Sequence, residues 1–314
     1  MSPESHQPAQ GELRSRLASG EFILTAELTP PVATDPQVFL ERVARLKGLA
    51  AAVNVTDGAG AKAHLSSLVA AHLMQRAGVE PILQMTCRDR NRLALESDLL
   101  GAMALGIENI LVLGGDDPKK GDQPETKPVF DLDSRGLIAL AHRMRAERKL
   151  PSGTEIKGPV SLLLGIADTP VDPPAGWRPA GLIAKVEAGA DFAQTQFCMD
   201  AGIVRRYAVA LVDLGLAQKL AILIGVAPIP SARSARWMQS NLFGTIIPDA
   251  IVTRLDQASD PAAEGRRICI ELMQELAEIP GIAGAHVMAP QNPSSLPEVI
   301  AAAGLGGKKR ARVG

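Results

Sequence analysis

The chain is poor in the residues that announce several classes of protein. It has three cysteines, Cys87, Cys198 and Cys269. They are odd in number, far apart and in no Cys-x-x-Cys pair, which argues against a disulfide framework and against a zinc cluster. They read as buried thiols, with Cys87 singled out because it closes a strand. Aromatics make up 3% of residues, a poor basis for stacking nucleic-acid bases. Neither sign of charge dominates: 33 Lys and Arg stand against 34 Asp and Glu. That balance gives no general pull toward nucleic acid or an anionic membrane. No apolar run approaches the ~20 residues that span a bilayer. Residues 1–20, with Pro3, Glu4, Gln7 and Glu12, lack the apolar centre of a signal peptide. A cytoplasmic location is expected.

Several catalytic signatures are missing too. There is no Gly-rich dinucleotide loop, no Walker A sequence and no Gly-x-Ser-x-Gly elbow. None of the five histidines (His6, His64, His72, His142, His286) ends one of the first seven predicted strands. A histidine base and a histidine-rich metal centre are therefore disfavoured, and no metal is expected.

What the chain does have is aliphatic residues in short runs. Strands are predicted over 22–28, 51–56, 81–86, 109–114, 159–166, 191–196, 221–227 and 282–288. Each has the length and apolar continuity of a strand buried on both faces. Helices are predicted between them over 36–48, 64–77, 91–105, 133–148, 178–189, 200–214, 231–240 and 258–279, with a last one over 294–303. Leu40, Val43, Ala44 and Leu46 share one helical face. Asp35 and Asp133 stand as N-caps, and Gly106 and Gly189 where helices should stop.

Eight strand–helix repeats imply a parallel α/β sheet that closes as a single (βα)8 TIM barrel. An open doubly wound sheet would put a Gly-rich loop after its first strand, where this chain has Thr29-Pro30-Pro31. The expected organisation is a flexible segment over 1–20, a catalytic barrel over 21–304 and a basic flexible tail over 305–314. Two long loops, 115–131 and 167–178, are rich in Pro, Gly and charge. Both follow strands, on the side where barrels carry their chemistry.

At those strand ends the polar residues are Glu27, Thr56, Asp57, Gln84, Thr86, Cys87, Asp116, Asp117, Asp168, Thr195 and Gln196. An acid in the apolar strand Thr25-Ala26-Glu27-Leu28 is costly to bury alone, so Glu27 is either paired or functional. Gln196 is a weaker case, because amides in strands also serve structure. Asp116-Asp117 after Gly114-Gly115 suits a turn and a site equally. The residues alone do not specify the ligand.

Six segments occur in order: Thr25-Ala26-Glu27-Leu28-Thr29-Pro30-Pro31, Val55-Thr56-Asp57-Gly58, Met85-Thr86-Cys87-Arg88-Asp89, Leu113-Gly114-Gly115-Asp116-Asp117-Pro118, Lys185-Val186-Glu187-Ala188-Gly189-Ala190 and Thr195-Gln196-Phe197. Together they resemble the methylenetetrahydrofolate reductase family from about residue 20 to 304. Met85-Thr86-Cys87-Arg88-Asp89-Arg90 and Val129-Phe130-Asp131-Leu132-Asp133 resemble a divergent branch, a catalytic barrel also found fused to homocysteine methyltransferase modules.

The resemblance implies FAD at the C-terminal face of the barrel, with NADH or NADPH as cosubstrate and tetrahydrofolate as substrate. By motif, Glu27 matches the essential glutamate, Asp116 the aspartate near flavin and pterin, and Gln196 the glutamine that contacts folate. Thr56, Phe130 and Lys185 match flavin-binding positions; Gln84, Asp131 and Asp168 are further cofactor-binding candidates. The implied chemistry opens the five-membered ring of 5,10-methylenetetrahydrofolate to a cation and adds hydride. A neutral acid near the ring nitrogens assists the opening, and Glu27 is expected to do so from an apolar setting. Asp116 would steady the cation.

The chain departs from the better-known bacterial members at several points. It has Gln84 in place of a histidine, Gly114 in place of an arginine, and Ala167-Asp168-Thr169-Pro170 in place of a Tyr-Pro-Glu turn. Asp172, Arg178, Ser234 and Met238 stand at further cofactor and folate positions. A second reading is a pterin-binding methyltransferase or methyl-carrier partner subunit. A homo-oligomer is expected, with an electron-transfer or methyltransferase protein as a further partner, and neither nucleic acid nor membrane.

Overall fold

The computed structural model describes residues 11–290 and 292–312. Its strands are β1 (Ile23–Leu28), β2 (Ala52–Val55), β3 (Pro81–Thr86), β4 (Asn109–Leu113), β5 (Leu163–Asp168), β6 (Phe192–Phe197), β7 (Ala221–Val226) and β8 (Gly284–Val287). Its helices are α1 (Glu12–Ser19), α2 (Gln37–Ala44), α3 (Ser67–Arg76), α4 (Arg92–Ala104), α5 (Ser134–Glu147), α6 (Ala180–Glu187), α7 (Ala201–Asp213), α8 (Ala232–Asn241), α9 (Asp249–Gln257), α10 (Pro261–Leu276) and α11 (Leu296–Ala302). Neighbouring strands pair in parallel and β8 returns to β1, so the sheet closes into the expected (βα)8 barrel.

Local signals set most boundaries. Asp133 accepts a hydrogen bond from Gly136 N at 2.6 Å and starts α5, while Gly106 and Gly189, both at positive φ, follow the ends of α4 and α6. Several boundaries differ from expectation, and two differences have a visible cause. β5 begins four residues late, at Leu163, after a segment opened by Gly158 at φ +94° and by Pro159, which has no N–H to give a ladder. The stretch read as helix 258–279 starts at Pro261, capped by Asp260, and the separate helix α9 precedes it. Pro261 at the first position of α10 explains the break.

The expected terminal segments also take part in the barrel. Residues 1–10 and 313–314 lie outside the described residues, as does His6. Within 11–20, α1 sends Leu13, wholly buried, into the N-terminal end of the barrel beside Ile23, Ala52, Ile82, Leu111, Leu163, Phe192 and Leu223. Glu80 accepts from Leu13 N at 3.1 Å and from Glu12 N, which anchors the helix start. At the other end Phe22 N donates to Lys308 O at 2.7 Å and Arg310 N to Gly20 O at 3.1 Å. Leu305 is buried. Apolar content at Leu13 and Leu305, sparse as it is, decides both attachments.

Strand residues alternate in and out. The outward set packs against the helices in one continuous core, while the inward set changes character along the axis. Its lower layer is the apolar plug around Leu13; its upper layer is polar. No helix among the described residues is long and apolar enough to cross a membrane.

Candidate active site

The register of the sheet places Thr25 beside His286 and Glu27 beside Asn54. All four face inward, and a connected polar network fills the upper barrel. Gln84 Nε2 donates to Glu27 Oε2 at 2.8 Å, and His286 Nε2 lies 3.7 Å from the same oxygen. Below, Thr25 Oγ1 and His286 Nδ1 are 2.9 Å apart. Gln194 Nε2 reaches Thr25 Oγ1 at 3.1 Å and Asn54 Oδ1 at 3.0 Å, while Asn54 Nδ2 donates back to Gln194 Oε1 at 2.6 Å. β2 and β6 lie on opposite sides of the barrel, so that amide pair bridges the interior. The Glu27 side chain is 25% exposed, whereas Thr25, Asn54, Gln84, Gln194 and His286 are buried. Glu27 therefore caps a column of uncharged polar groups and opens to the mouth.

This corrects one expectation about Glu27. Its surroundings are polar, an amide and an imidazole, where an apolar setting was expected. Its placement inside the barrel follows from the alternation of β1. His286, set aside when histidines were sought at strand ends, sits one layer below the mouth and touches the site from there. The signal for it is the parity of β8: His286 lies two residues after Gly284, which faces the β7 position of Leu223 in the plug.

The loops above are framed by charged residues from two of the motifs. Asp57 accepts from Thr86 N at 2.8 Å and Thr86 Oγ1 at 2.9 Å, and Arg90 grips it through Nη1 at 2.7 Å and Nη2 at 3.0 Å. Burial alone would push the Asp57 carboxyl up, but Arg90 and Thr86 hold it below the usual carboxylate range. Arg88 is held by Asp89 and donates to Gly58 O at 3.2 Å and Asp116 O at 3.3 Å. Gly115, at φ +101°, carries β4 past that side chain, where an added Cβ would stand 2.7 Å from Arg88 Cβ. Asp57, Arg88 and Arg90 thus tie the ends of β2, β3 and β4 together. Cys87 points away from the mouth into the core, and its thiol is pushed up to about 11, chiefly by burial. It packs as an inert thiol.

The other motif residues divide into two groups. Asp116 is exposed on the loop after β4, where its Oδ2 accepts from Gly60 N at 2.7 Å. Gln196 is the last residue but one of β6, at a slip in the β6–β7 register between Gln194 and Phe197, a device that re-aims side chains beside active sites. Its Nε2 donates to Phe243 O at 3.2 Å. Thr56 is buried and its hydroxyl has no partner among the described residues. Phe130 adopts φ +43° and leaves its ring 46% exposed, a strained backbone of the kind that gathers at functional sites.

Three candidates are already engaged by the protein. Asp131 binds Arg92 through both carboxylate oxygens at 2.8 and 2.9 Å, and that guanidinium holds its carboxyl down at about 2. Asp168 turns outward from β5 to accept from the buried Tyr207 hydroxyl. Burial pushes its carboxyl up, against the pull of Tyr207, Thr169 N and Lys185. Lys185 Nζ donates to Ala167 O at 2.8 Å. A tricyclic cofactor at the mouth would find an unpaired hydroxyl at Thr56, an exposed ring at Phe130 and open backbone at Gly114, where an added Cβ would meet nothing within 4 Å. Those residues fit such a group.

Residues 12–304 match the family model described as methylenetetrahydrofolate reductase. The chain belongs to that family. Among relatives, a probable methylenetetrahydrofolate reductase (NADPH) of Caenorhabditis elegans is 26% identical over 97% of this chain and 45% of its own length. Methylenetetrahydrofolate reductase 2 of Schizosaccharomyces pombe is 27% identical over 83% and 41%. The 5,10-methylenetetrahydrofolate reductase of Pectobacterium carotovorum is 23% identical over 83% of this chain and 82% of its own. The chain thus spans less than half the length of the two eukaryotic family members. A solved Clostridium thermocellum protein that binds two copies of 5-methyl-5,6,7,8-tetrahydrofolic acid shares the fold, with a TM-score of 0.63 at 14% identity over 93% of this chain and 97% of that one.

Proposed function

We propose that this barrel is a flavin-dependent reductase that interconverts 5,10-methylenetetrahydrofolate and 5-methyltetrahydrofolate. The observation that carries the reading is Glu27: a carboxylate facing into the barrel mouth, held by Gln84, near His286 and open to a ligand. Family membership supports the substrate.

Thr56, Phe130 and the Gly114-Gly115 backbone would hold the flavin. When bound, it takes hydride from a reduced nicotinamide donor and passes it to the one-carbon unit. Glu27, in its neutral form, gives its proton to the ring nitrogen that leaves as the five-membered ring opens, and the electron pair of the broken C–N bond stays on that nitrogen. The Glu27 carboxylate that results is received by the Gln84 amide, which already points at Oε2. Asp116 steadies the cation left on the one-carbon unit with its second carboxylate oxygen, the first being fixed by Gly60 N. Gln196 presents its amide to the pterin at the end of β6. One proton and one hydride added to the substrate give the 5-methyl product, and the reverse order gives oxidation.

The visible spectrum of the purified protein tests the cofactor. The absorption of an oxidised flavin, or its appearance on adding FAD, is expected. A protein that stays colourless with FAD and still binds 5-methyltetrahydrofolate would replace this reading with a pterin-binding methyl-carrier subunit.

A further inference from the structure

Beneath Glu27 the network continues through groups buried from solvent. The bottom of the barrel shows that these strands pack well with apolar residues at inward positions, as Ala52 and Phe192 do two residues before Asn54 and Gln194. Burying two amides there is costly unless they are bonded. They are bonded to each other reciprocally, and that pairing leaves one amide hydrogen of Gln194 over, which goes to Thr25 Oγ1.

A hydroxyl has one hydrogen to give. The Thr25 oxygen already accepts from Gln194, and among the described residues the hydrogen has no acceptor within reach but His286 Nδ1, 2.9 Å away. Nδ1 is then a lone pair, the ring is neutral, and its single N–H sits on Nε2, the nitrogen facing Glu27. Turning the Gln194 amide over would reverse every step. Thr25 would donate to Gln194 and accept from Nδ1–H, and Nε2 would present a lone pair to the Glu27 carboxylate.

We propose that the Asn54–Gln194 amide pair, acting through Thr25, locks His286 in the Nε2–H tautomer, so that Glu27 always faces an N–H and never a lone pair. These are positioning residues. Resting on the reductase reading, their use is to receive the carboxylate that Glu27 becomes when it gives up its proton. Gln194 and Asn54 serve here as a device separated from Glu27 by two and three side chains respectively.

Long-range 15N–1H correlation NMR of the imidazole side chains in the full-length protein tests the lock without folate or flavin. The His286 signals are assigned by their loss in His286→Asn. The wild type is expected to show the Nε2–H pattern for His286. Gln194→Met and the isosteric Thr25→Val each remove the relay and are expected to give mixed or Nδ1–H patterns. With folate, kcat should fall severalfold in each while KM holds, because the N–H standing 3.7 Å from the Glu27 carboxylate is exchanged for a lone pair. An Nδ1–H pattern in the wild type overturns the proposal, and so does an unchanged Nε2–H pattern in a folded variant. If the wild type shows Nε2–H yet turns over no folate, the lock stands and the reductase reading falls.

Discussion

The inside of this barrel is two different materials built on the same strands. Its lower layer, Leu13, Ile23, Ala52, Ile82, Leu111, Leu163, Phe192 and Leu223, is apolar and dry. Two residues further along β1, β2, β3, β6 and β8 stand Thr25, Asn54, Gln84, Gln194 and His286, all buried and polar. The step from one layer to the next is a single pleat of the sheet. Area burial holds the plug together and tolerates relaxation. The upper layer is held by directional hydrogen bonds, each of which leaves a costly orphan when its partner goes. One end of the barrel secures the fold and the other orients an acid, so damage to the two should read out differently.

The sharpest break is at Glu27. Glu27→Gln keeps the shape and loses the proton, so folate turnover should fall by about 10²–10⁴-fold while reduction of the flavin by nicotinamide and thermal stability persist. Equal loss in both half-reactions would refute the acid role. The converse test is Phe192→Ala. The ring fills space so closely that a Cβ on Gly165 would stand 2.2 Å from Phe192 Cζ. Its loss should cost about 3–5 kcal/mol in denaturant unfolding while the folded fraction keeps its kcat. A kcat that falls with stability intact would erase the distinction between the layers.

Asp116→Asn should slow hydride transfer from pre-reduced enzyme to folate by about tenfold or more, measured by stopped flow. A normal rate there would remove Asp116 from the chemistry. The smallest effect is expected outside both layers, at the exposed Arg92–Asp131 pair. Arg92 holds the Asp131 carboxyl at about 2, below its ordinary ~3.9. The folded form of a depressed acid is favoured above the ordinary value and loses that advantage as pH falls through the depressed one. Melting temperatures of wild type and Asp131→Asn should therefore differ slightly above pH ~4 and converge toward pH ~2. A gap that persists in acid would refute a contribution from the charge of Asp131.

Much of the fold was legible because burial on both faces leaves continuous aliphatic runs, and eight of them separated by helical patterns have one natural closure. The helices that were misjudged are those whose evidence is thin. α1 rests on one plug residue, Leu13, and α9 on a short amphipathic stretch before Pro261. The candidate site was legible where polar residues sit near the C-terminal end of a strand, as at Glu27 and Gln196. It was opaque one layer down. Asn54, Gln194 and His286 lie 54, 194 and 286 residues along the chain, and no local pattern joins them. Asp57 looked like a site residue for the opposite reason: its charge is used, through Arg90, to tie loops, and only the contacts reveal it.

By itself the sequence determined the barrel, the family and the inward acid of its first strand as a residue needing a partner or a purpose. Those follow from local periodicity and from residue types in order. Which side chains surround that acid, and which of the motif's charges are already consumed, only the closed sheet decided. Closure sets a register across strands far apart in the chain, and hydrogen bonds of 2.6–3.1 Å across the interior depend on that register alone.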